Sequence, residues 1–486
     1  MGIAHVPGDE LGSPDMATRG KSKARTRVER DTMGELRVPA AALWGAQTAR
    51  AVENFPISGL RAHPAFIDAT VRIKIAAARA NARLGLLPRP AARAIEAAAR
   101  EVLAGRWRDQ FVVDVYQAGA GTSHHMNVNE LLANRAAELL GGRRGDHALV
   151  DPNDHVNMAQ STNDVVPTAI RLAALELAPA VVKALLDLAA TFERKSRAWD
   201  GIVKAGRTHL MDATPIRLGQ EVEGWAATLR SAAGRVRDAL PELSLLGIGG
   251  TAVGTGVNAH PRYRALVIAE LEKLTGVPLA SAGSLTGAMQ SLAPFVALSG
   301  ALRGAAVELL RIGGDVRLLG SGPGTGLGEL RLPAVQPGSS IMPGKVNPSM
   351  AEMLAMVSYQ VIGLDAAIAA AAAAGQLELN VMMPLVAFDL CHQLQIMAAA
   401  VTAFDRRCAR GLSADPARAR FYAERTVSLA TALAPRLGYA AAAEIVKASL
   451  ATGRSVRELA VERGGLGERE AKRLLDPARQ TRPGRG

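Results

Sequence analysis

The chain has 486 residues, 49% of them hydrophobic and only 3% aromatic, so its core is aliphatic and alanine-rich and suits close-packed helices better than a β-sandwich. The two cysteines, Cys391 and Cys408, exclude a disulfide scaffold or a thiolate metal site and fit a reducing, cytoplasmic setting. The net charge of +12 is densest near the termini (Lys21, Lys23, Arg25, Arg27; Arg479, Arg482, Arg485) with few aromatics among it, a pattern of solvated surface that attracts small anions rather than of nucleic-acid binding.

Residues 1–26 are polar, punctuated by glycine and proline, and then basic; they are expected to form a disordered extension. No apolar core of a signal peptide lies between Met1 and Gly20. The pattern from Arg27 to Asn54 is short and turn-rich. Helical periodicity begins near Pro64 and is expected to run to Leu103, with a further helix from Asn127 to Leu140. Long aliphatic runs then predict helices from just past Pro167 to about Ala198 (interrupted by Pro179), from Pro215 to Leu240, from Gly287 to Leu319 with Pro294 inside, and from Pro348 to Ala374. Helices of about 25 to 30 residues span roughly 40 Å. Met353–Ala374 is apolar nearly all round and must be surrounded by other helices, in the subunit or across an oligomer interface. The expectation is a mainly α, long-helix bundle that forms multimers.

The longest apolar stretch, Ala366–Ala374, is too short to span a bilayer, so no membrane partner is expected. There is no internal repeat, dinucleotide fingerprint or P-loop, and no cofactor or metal is expected. The glycine-rich run Gly249–Gly256 lacks the P-loop lysine and reads as a tight connection between helices.

The string Gly338-Ser339-Ser340-Ile341-Met342-Pro343-Gly344-Lys345-Val346-Asn347-Pro348 is the most informative in the chain. It sets two hydroxyls, one cation and one amide on a loop punctuated by glycine and proline. Asn347 is expected to cap the following helix with Pro348 at its first position, which places Lys345 and Asn347 at an anion-attracting N-terminus. Four more segments carry chemistry: Gly119–Asn127 with Thr122; Gln160-Ser161-Thr162-Asn163-Asp164; Gly206-Arg207-Thr208-His209; and Glu352, about one turn into the last helix. Each has an ordinary reading as well. Ser-Thr-Asn-Asp before a helix is commonly a cap, Thr122 can cap the helix after it, and an isolated Thr-His pair is usually incidental.

Taken together, these segments resemble the fumarase/aspartase superfamily from about Arg27 to Pro483. Leu43–Thr48 and Glu53-Asn54-Phe55 are similar to its N-terminal region. The resemblance implies a long central helix bundle flanked by two smaller domains, divided here as 27–160, 161–414 and 415–486. It also implies a homotetramer with a shared helical core, whose sites form where three subunits meet. The implied reaction removes a proton beside a carboxylate of a small dicarboxylate and expels the β substituent to leave fumarate. In the implied roles, Ser339 is the general base. Lys345 and Asn347 hold one substrate carboxylate, and Thr122, Ser161, Thr162 and Ser340 hold the other. Asn163, Thr208 and His209 contact the leaving group, and Glu352 of another subunit orients His209.

Within the family, Ala120, Ser161-Thr162-Asn163, Asn347–Glu352, Gly375–Met382, Gly453–Leu459, Leu475-Asp476-Pro477 and Thr481–Gly484 resemble the aspartate ammonia-lyase branch. Leu43–Gln47 and Gly249–Gly256 resemble class II fumarases. Aspartate is the expected substrate and malate the alternative; a non-enzymatic helical scaffold is the third reading, opposed by the intact motifs. Four positions depart from the family pattern. His125 stands where Asn is usual, Ala159 where Ser is common, and Gly324 where Arg is usual. Asp151 stands where many fumarases carry His, which puts their accessory dicarboxylate site in doubt.

Overall fold

The computed structural model describes residues 25–484. The extension expected over 1–26 lies outside them except for Arg25 and Thr26, and Thr26 already opens a strand. That strand, β1 (Thr26–Asp31), pairs antiparallel with β2 (Gly34–Pro39), and α1 (Ala46–Asn54) follows. The N-terminus of α1 is capped from outside its own segment. The buried Glu130 carboxylate accepts from the backbone N–H groups of Gly45 (2.8 Å), Gln47 (2.8 Å) and Thr48 (3.1 Å), and from the Thr48 hydroxyl at 2.6 Å. A Cβ on Gly45 would approach the Glu130 carboxyl carbon to 3.0 Å, which accounts for glycine there.

The helical pattern expected unbroken from Pro64 to Leu103 is two helices, α2 (Pro64–Arg83) and α3 (Arg89–Leu103). Gly85, with φ +76°, and Pro88 end the first and reset the chain for the second. Next comes α4 (Thr122–Leu139), longer at its start than expected. Then α5 (Thr162–Ala198) runs for 37 residues straight through Pro167 and Pro179. Each interior proline costs about 3 kcal/mol in an isolated helix. Here burial of most of the helix outweighs that cost and gives a rod of roughly 55 Å.

The segment expected to be helical from Pro215 starts as a hairpin. β3 (Val203–Thr208) pairs with β4 (Met211–Arg217), and Pro215 lies opposite Ala205 at a bulge, a position a proline tolerates in a two-stranded edge. Helix α6 (Leu218–Asp238) follows, then α7 (Tyr263–Thr275), α8 (Leu285–Gln290) and α9 (Ala293–Leu319), with Pro294 in the first turn of α9 rather than inside it. Two long helices complete the bundle, α10 (Ser349–Ala373) and α11 (Met383–Arg407). In it α5 packs on α6 and α11, α10 packs on α9 and α11, and α6 packs on α9. A second apolar cluster joins α2, α3 and α4, and a third lies among short helices between Leu429 and Leu475.

Contrary to the expectation of no spanning stretch, four of the long helices are apolar and long enough to cross a membrane by length and composition alone. They pack against one another, to unequal degrees. The most apolar stretch of α5 is 72% buried, that of α10 only 33%. The all-round apolar pattern of α10 is therefore only one-third buried by its own chain, leaving Met356 and Tyr359 about two-thirds exposed, at 65% and 64%.

The N-terminal hairpin is tied to the segment after α4 by His147. Its Nε2 meets Glu29 at 3.0 Å and its Nδ1 meets Asp151 at 3.2 Å. Hydrogen bonds to Asp151 and then to Glu29 raise the imidazole to about 10. A folded-state value above the unfolded one near 6.5 means that the stabilisation is full below about pH 6.5 and is lost as pH rises through about 10. The thermal midpoint of the protein should therefore fall more from neutrality to about pH 10 than that of His147→Gln; parallel declines would show that this pair of contacts contributes nothing.

Candidate active site

Two helix N-termini meet at the head of the bundle. Gly121 (φ +91°) and Ala120 (φ +61°) turn the chain into α4, whose first residue, Thr122, is exposed. The Ala120 N–H donates to the Val381 carbonyl at 2.7 Å, anchoring that turn to the approach of α11. Beside it Ser161 is the N-cap of α5. Its hydroxyl accepts from the Asn163 N–H at 3.2 Å, and Asp164 returns a bond to the Ser161 N–H at 3.0 Å, a reciprocal capping box. The capping reading of Ser-Thr-Asn-Asp is correct, and it does not exhaust these groups. A serine hydroxyl that accepts one bond still has a hydrogen to donate. Thr122, Ser161 and Thr162 thus collect at two N-termini that favour an anion. His125, one turn into α4, binds Thr162 directly, with 2.8 Å between Nδ1 and Oγ1.

Under this surface lies a polar layer that the motifs did not reveal. Lys74, wholly buried in α2, reaches His125 Nε2 at 2.6 Å, Gln160 Oε1 at 2.8 Å and Asn157 Oδ1 at 3.1 Å. Burial, and then Lys74, hold His125 well below the ordinary imidazole value. Its neighbour His124 is a core histidine, stacked on Phe66 and bonded to Thr70 at 3.1 Å. Asp164 is also fully buried. Its second oxygen accepts from the N–H groups of Gly249 and Thr251, both at 3.0 Å, and burial pushes it up to about 6. Asn163 adds a bond to the Ala252 carbonyl at 2.8 Å. The glycine-rich run is therefore a folded loop clamped on the Ser-Thr-Asn turn. A Cβ on Gly254 would come within 2.6 Å of the Thr286 backbone nitrogen.

The remaining groups sit elsewhere in the chain. Thr208 is paired with Met211, so His209 and Leu210 form a two-residue hairpin turn with φ of +54° and +62°. Such turns favour Asn-Gly, and each non-glycine residue here costs on the order of 1–3 kcal/mol. His209 is exposed on a strained turn, with Leu210 and Met211 exposed beside it.

The serine loop closes on itself. The Gly338 N–H donates to the Lys345 carbonyl at 2.9 Å, and a Cβ on Gly338 would overlap that oxygen. Ser339 Oγ accepts from the N–H groups of Ile341 at 3.2 Å and Met342 at 3.1 Å. Asn347 does not cap α10 as expected. Its side chain donates to the Gly338 carbonyl at 2.7 Å, and α10 begins at Ser349 with Pro348 in the uncapped preceding position. Ser340 and Lys345 are exposed, and Glu352 lies in the first turn of α10.

The Thr-His hairpin and the approach to the serine loop are joined through Glu329, which is completely buried. It accepts both Arg207 guanidinium nitrogens, at 3.0 and 3.1 Å, and lies 3.4 Å from Lys204, which also meets Glu221 at 3.0 Å. Within one chain, then, three groups form: Thr122 with Ser161, Thr162 and Asn163; Thr208 with His209; and Ser339, Ser340, Lys345 and Asn347, with Glu352 just beyond. Among the described residues no hydrogen bond or ion pair joins any of these groups to another, and neither His209, Lys345 nor Glu352 has a side-chain partner. Lys74 and Glu329 were visible only as lone charges in apolar surroundings, Ile73-Lys74-Ile75 and Gly328-Glu329-Leu330. The departure at Asp151 has a structural use. Its carboxylate accepts from the N–H groups of Asn153 (2.7 Å) and Asp154 (2.9 Å), starting the turn Pro152–Val156.

The chain matches a family described as "Lyase" over residues 34–363 and one described as "Fumarase C C-terminus" over residues 429–482. It is 44% identical to the aspartate ammonia-lyase of Bacillus subtilis (strain 168) over 458 residues, covering 94% of this chain and 96% of that one. It is 49% identical to the class II fumarate hydratase of Halobacterium salinarum over 459 residues, covering 94% and 97%. Among solved structures, the fumarate lyase:delta crystallin of Brucella melitensis bound to cobalt superposes with a TM-score of 0.90 at 48% identity, covering 94% and 100%. The class II fumarase of Schistosoma mansoni gives 0.91 at 35%, covering 94% and 99%.

Replacing Glu329 by Leu should leave the buried Lys204 and the part-buried Arg207 without their shared partner, a loss of roughly 3–5 kcal/mol. Glu329→Leu should therefore unfold at clearly lower denaturant than the unaltered protein, and adding Arg207→Met should recover part of the loss. A single variant as stable as the parent would show that the cluster does not hold the hairpin.

Proposed function

Because the chain belongs to the fumarase/aspartase superfamily of lyases, we propose that it eliminates ammonia from L-aspartate, reversibly, to give fumarate. The observation that carries the reaction type is the serine loop, in which two backbone N–H groups converge on Ser339 Oγ. An unassisted serine is far too weak a base for a carbon-bound proton. Two N–H donors, with the positive charge of Lys345 in the same loop, favour its oxyanion. Ser339 then takes the β-proton, and the electron pair spreads into the adjoining carboxylate as an aci-carboxylate. Lys345 and Asn347 meet that developing double charge. The other carboxylate binds at the paired N-termini through Thr122, Ser161 and Thr162, with Ser340 reaching it from the serine loop. Collapse of the intermediate expels the amine beside Asn163, Thr208 and His209, with Glu352 orienting the imidazole.

Aspartate is favoured by Ala120, Thr162 and the segments of the C-terminal half that resemble ammonia-lyases. A hydration reading, L-malate and fumarate, is favoured by Leu43–Gln47, by Gly249–Gly256 and by the 49% identity to a class II fumarate hydratase. Two free, buried thiols, Cys391 and Cys408, support the cytoplasm as its setting. Ultraviolet absorbance of fumarate decides between the substrates. It should rise with L-aspartate; a rise with L-malate and none with L-aspartate would replace the first reading by the second.

The separation of the three groups supports a reading of the assembly. Two of the three lie beside exposed apolar side chains: Leu210 and Met211 next to His209, and Ile341 and Met342 in the serine loop with Met356 and Tyr359 on the helix of Glu352. These are surfaces that further copies of the chain would cover. We propose a homotetramer with composite sites, in which His209 of one subunit meets Glu352 of another. Two inactive variants, Ser339→Ala and His209→Asn, should partly restore activity when refolded together, because some mixed sites draw both unaltered residues from different chains. A fully active monomer by light scattering would contradict this, and so would a tetramer in which the mixture stays inactive.

A further inference from the structure

Lys74 and His125 have no place in the chemistry above, yet they form a continuous hydrogen-bonded line from the core to Thr162. We propose that His125 is a positioning residue: locked by Lys74, it donates Nδ1–H to Thr162 Oγ1 and so aims the threonine hydroxyl hydrogen at a substrate carboxylate. This rests on the reading of Thr162 as a substrate contact.

The polarity of the line follows from donor and acceptor counts. An ammonium has three N–H donors and no acceptor. Around Lys74 Nζ stand three partners: His125 Nε2 at 2.6 Å, Gln160 Oε1 at 2.8 Å and Asn157 Oδ1 at 3.1 Å. Both amides are fixed with oxygen inward, because their nitrogens are engaged elsewhere. Gln160 Nε2 donates to the carbonyls of Val156 at 3.0 Å and Met158 at 3.2 Å, and Asn157 Nδ2 donates to the Gln160 carbonyl at 3.4 Å. Two N–H groups of Lys74 are thereby assigned; with Lys74 charged, as the proposal takes it, the third points at His125 Nε2, which then accepts. The Asp164 carboxylate attracts the same ammonium, opposing the burial that disfavours it.

A neutral imidazole that accepts at Nε2 carries its hydrogen on Nδ1. That hydrogen faces Thr162 Oγ1 at 2.8 Å. Thr162 then accepts from below and is left with its own hydrogen to donate outward. The reverse tautomer would make Thr162 donate into the core and present only lone pairs to the site, which a carboxylate repels. Lys74, His125 and Thr162 thus transmit a buried positive charge to the substrate pocket as hydrogen-bond polarity. Nothing in the line needs to move.

The test combines a spectrum with a mutant cycle. Solid-state 15N NMR of histidine-labelled enzyme, with His125→Asn identifying the signal, should show protonated Nδ1 and bare Nε2; the opposite assignment overturns the proposal. Thr162→Val and His125→Leu should each raise KM about tenfold with a smaller change in kcat. In the Thr162→Val background, His125→Leu should add less than about twofold, because its action runs through the missing hydroxyl. His125→Asn, whose amide also offers one acceptor and one N–H donor, should return KM to within about threefold of the parent. Full additivity in the cycle, or His125→Asn as damaging as His125→Leu, overturns the proposal while leaving Thr162 as a contact. An unchanged KM in Thr162→Val removes the contact itself, and the proposal with it.

Discussion

The fully buried carboxylate of Asp164 fixes more of the site than any other group. One oxygen closes the capping box on Ser161, and the other holds the N–H groups of Gly249 and Thr251. A carboxylate with no exposure is tolerated only when hydrogen bonds and a cation meet it. Burial pushes it up to about 6, so it is charged at neutrality. With the buried Lys74 on the other side of the Ser-Thr-Asn turn, it makes a rigid floor under hydroxyls whose orientation matters. The long rod of α5 gives that floor its base, which is why two interior prolines are carried rather than allowed to break the helix.

The other parts of the site obey a different rule. They stand at strained or self-closed turns on the surface: His209 and Leu210 at positive φ, and a serine loop shut by the Gly338–Lys345 bond. Strain at a turn persists only where surrounding structure enforces it. Here the buried Arg207–Glu329–Lys204 cluster pins the strand that carries His209 to the chain leading into the serine loop. One chain therefore holds each part firmly, yet among the described residues no hydrogen bond or ion pair joins the site side chains of one part to those of another. The proposed assembly rests on the apolar face of α10 that its own chain leaves uncovered, since an alanine-rich apolar face admits the close approach of another helix.

Four of the five long bundle helices were legible in the sequence because aliphatic runs of that length have few other solutions, whereas α11 (Met383–Arg407) was not among the helices expected. The serine loop, the Ser-Thr-Asn turn and Thr-His were legible as motifs. What failed was local. A continuous helix from Pro64 to Leu103 was expected because the apolar rhythm survives the Gly85–Pro88 break. The β3–β4 hairpin was hidden because His209-Leu210 lacks the glycine and asparagine that announce such turns. Asn347 looked like a cap, yet its side chain closes the serine loop instead, a choice set by the carbonyl of Gly338 nine residues earlier. Lys74, Asp164 and Glu329 were unreadable as a set, because each acts on groups far away in sequence.

The central claim is that the Ser339 hydroxyl, held by the Ile341 and Met342 N–H groups, is the base that opens the reaction, whichever substrate is used. It is tested most directly by the turnover of Ser339→Ala on both L-aspartate and L-malate, followed by fumarate absorbance on protein shown to keep its oligomeric state. Loss of the base should lower kcat by about 10²–10⁴-fold or more on the substrate the parent enzyme uses. Turnover near that of the parent would contradict the account, and the proton would then have to leave by way of another group.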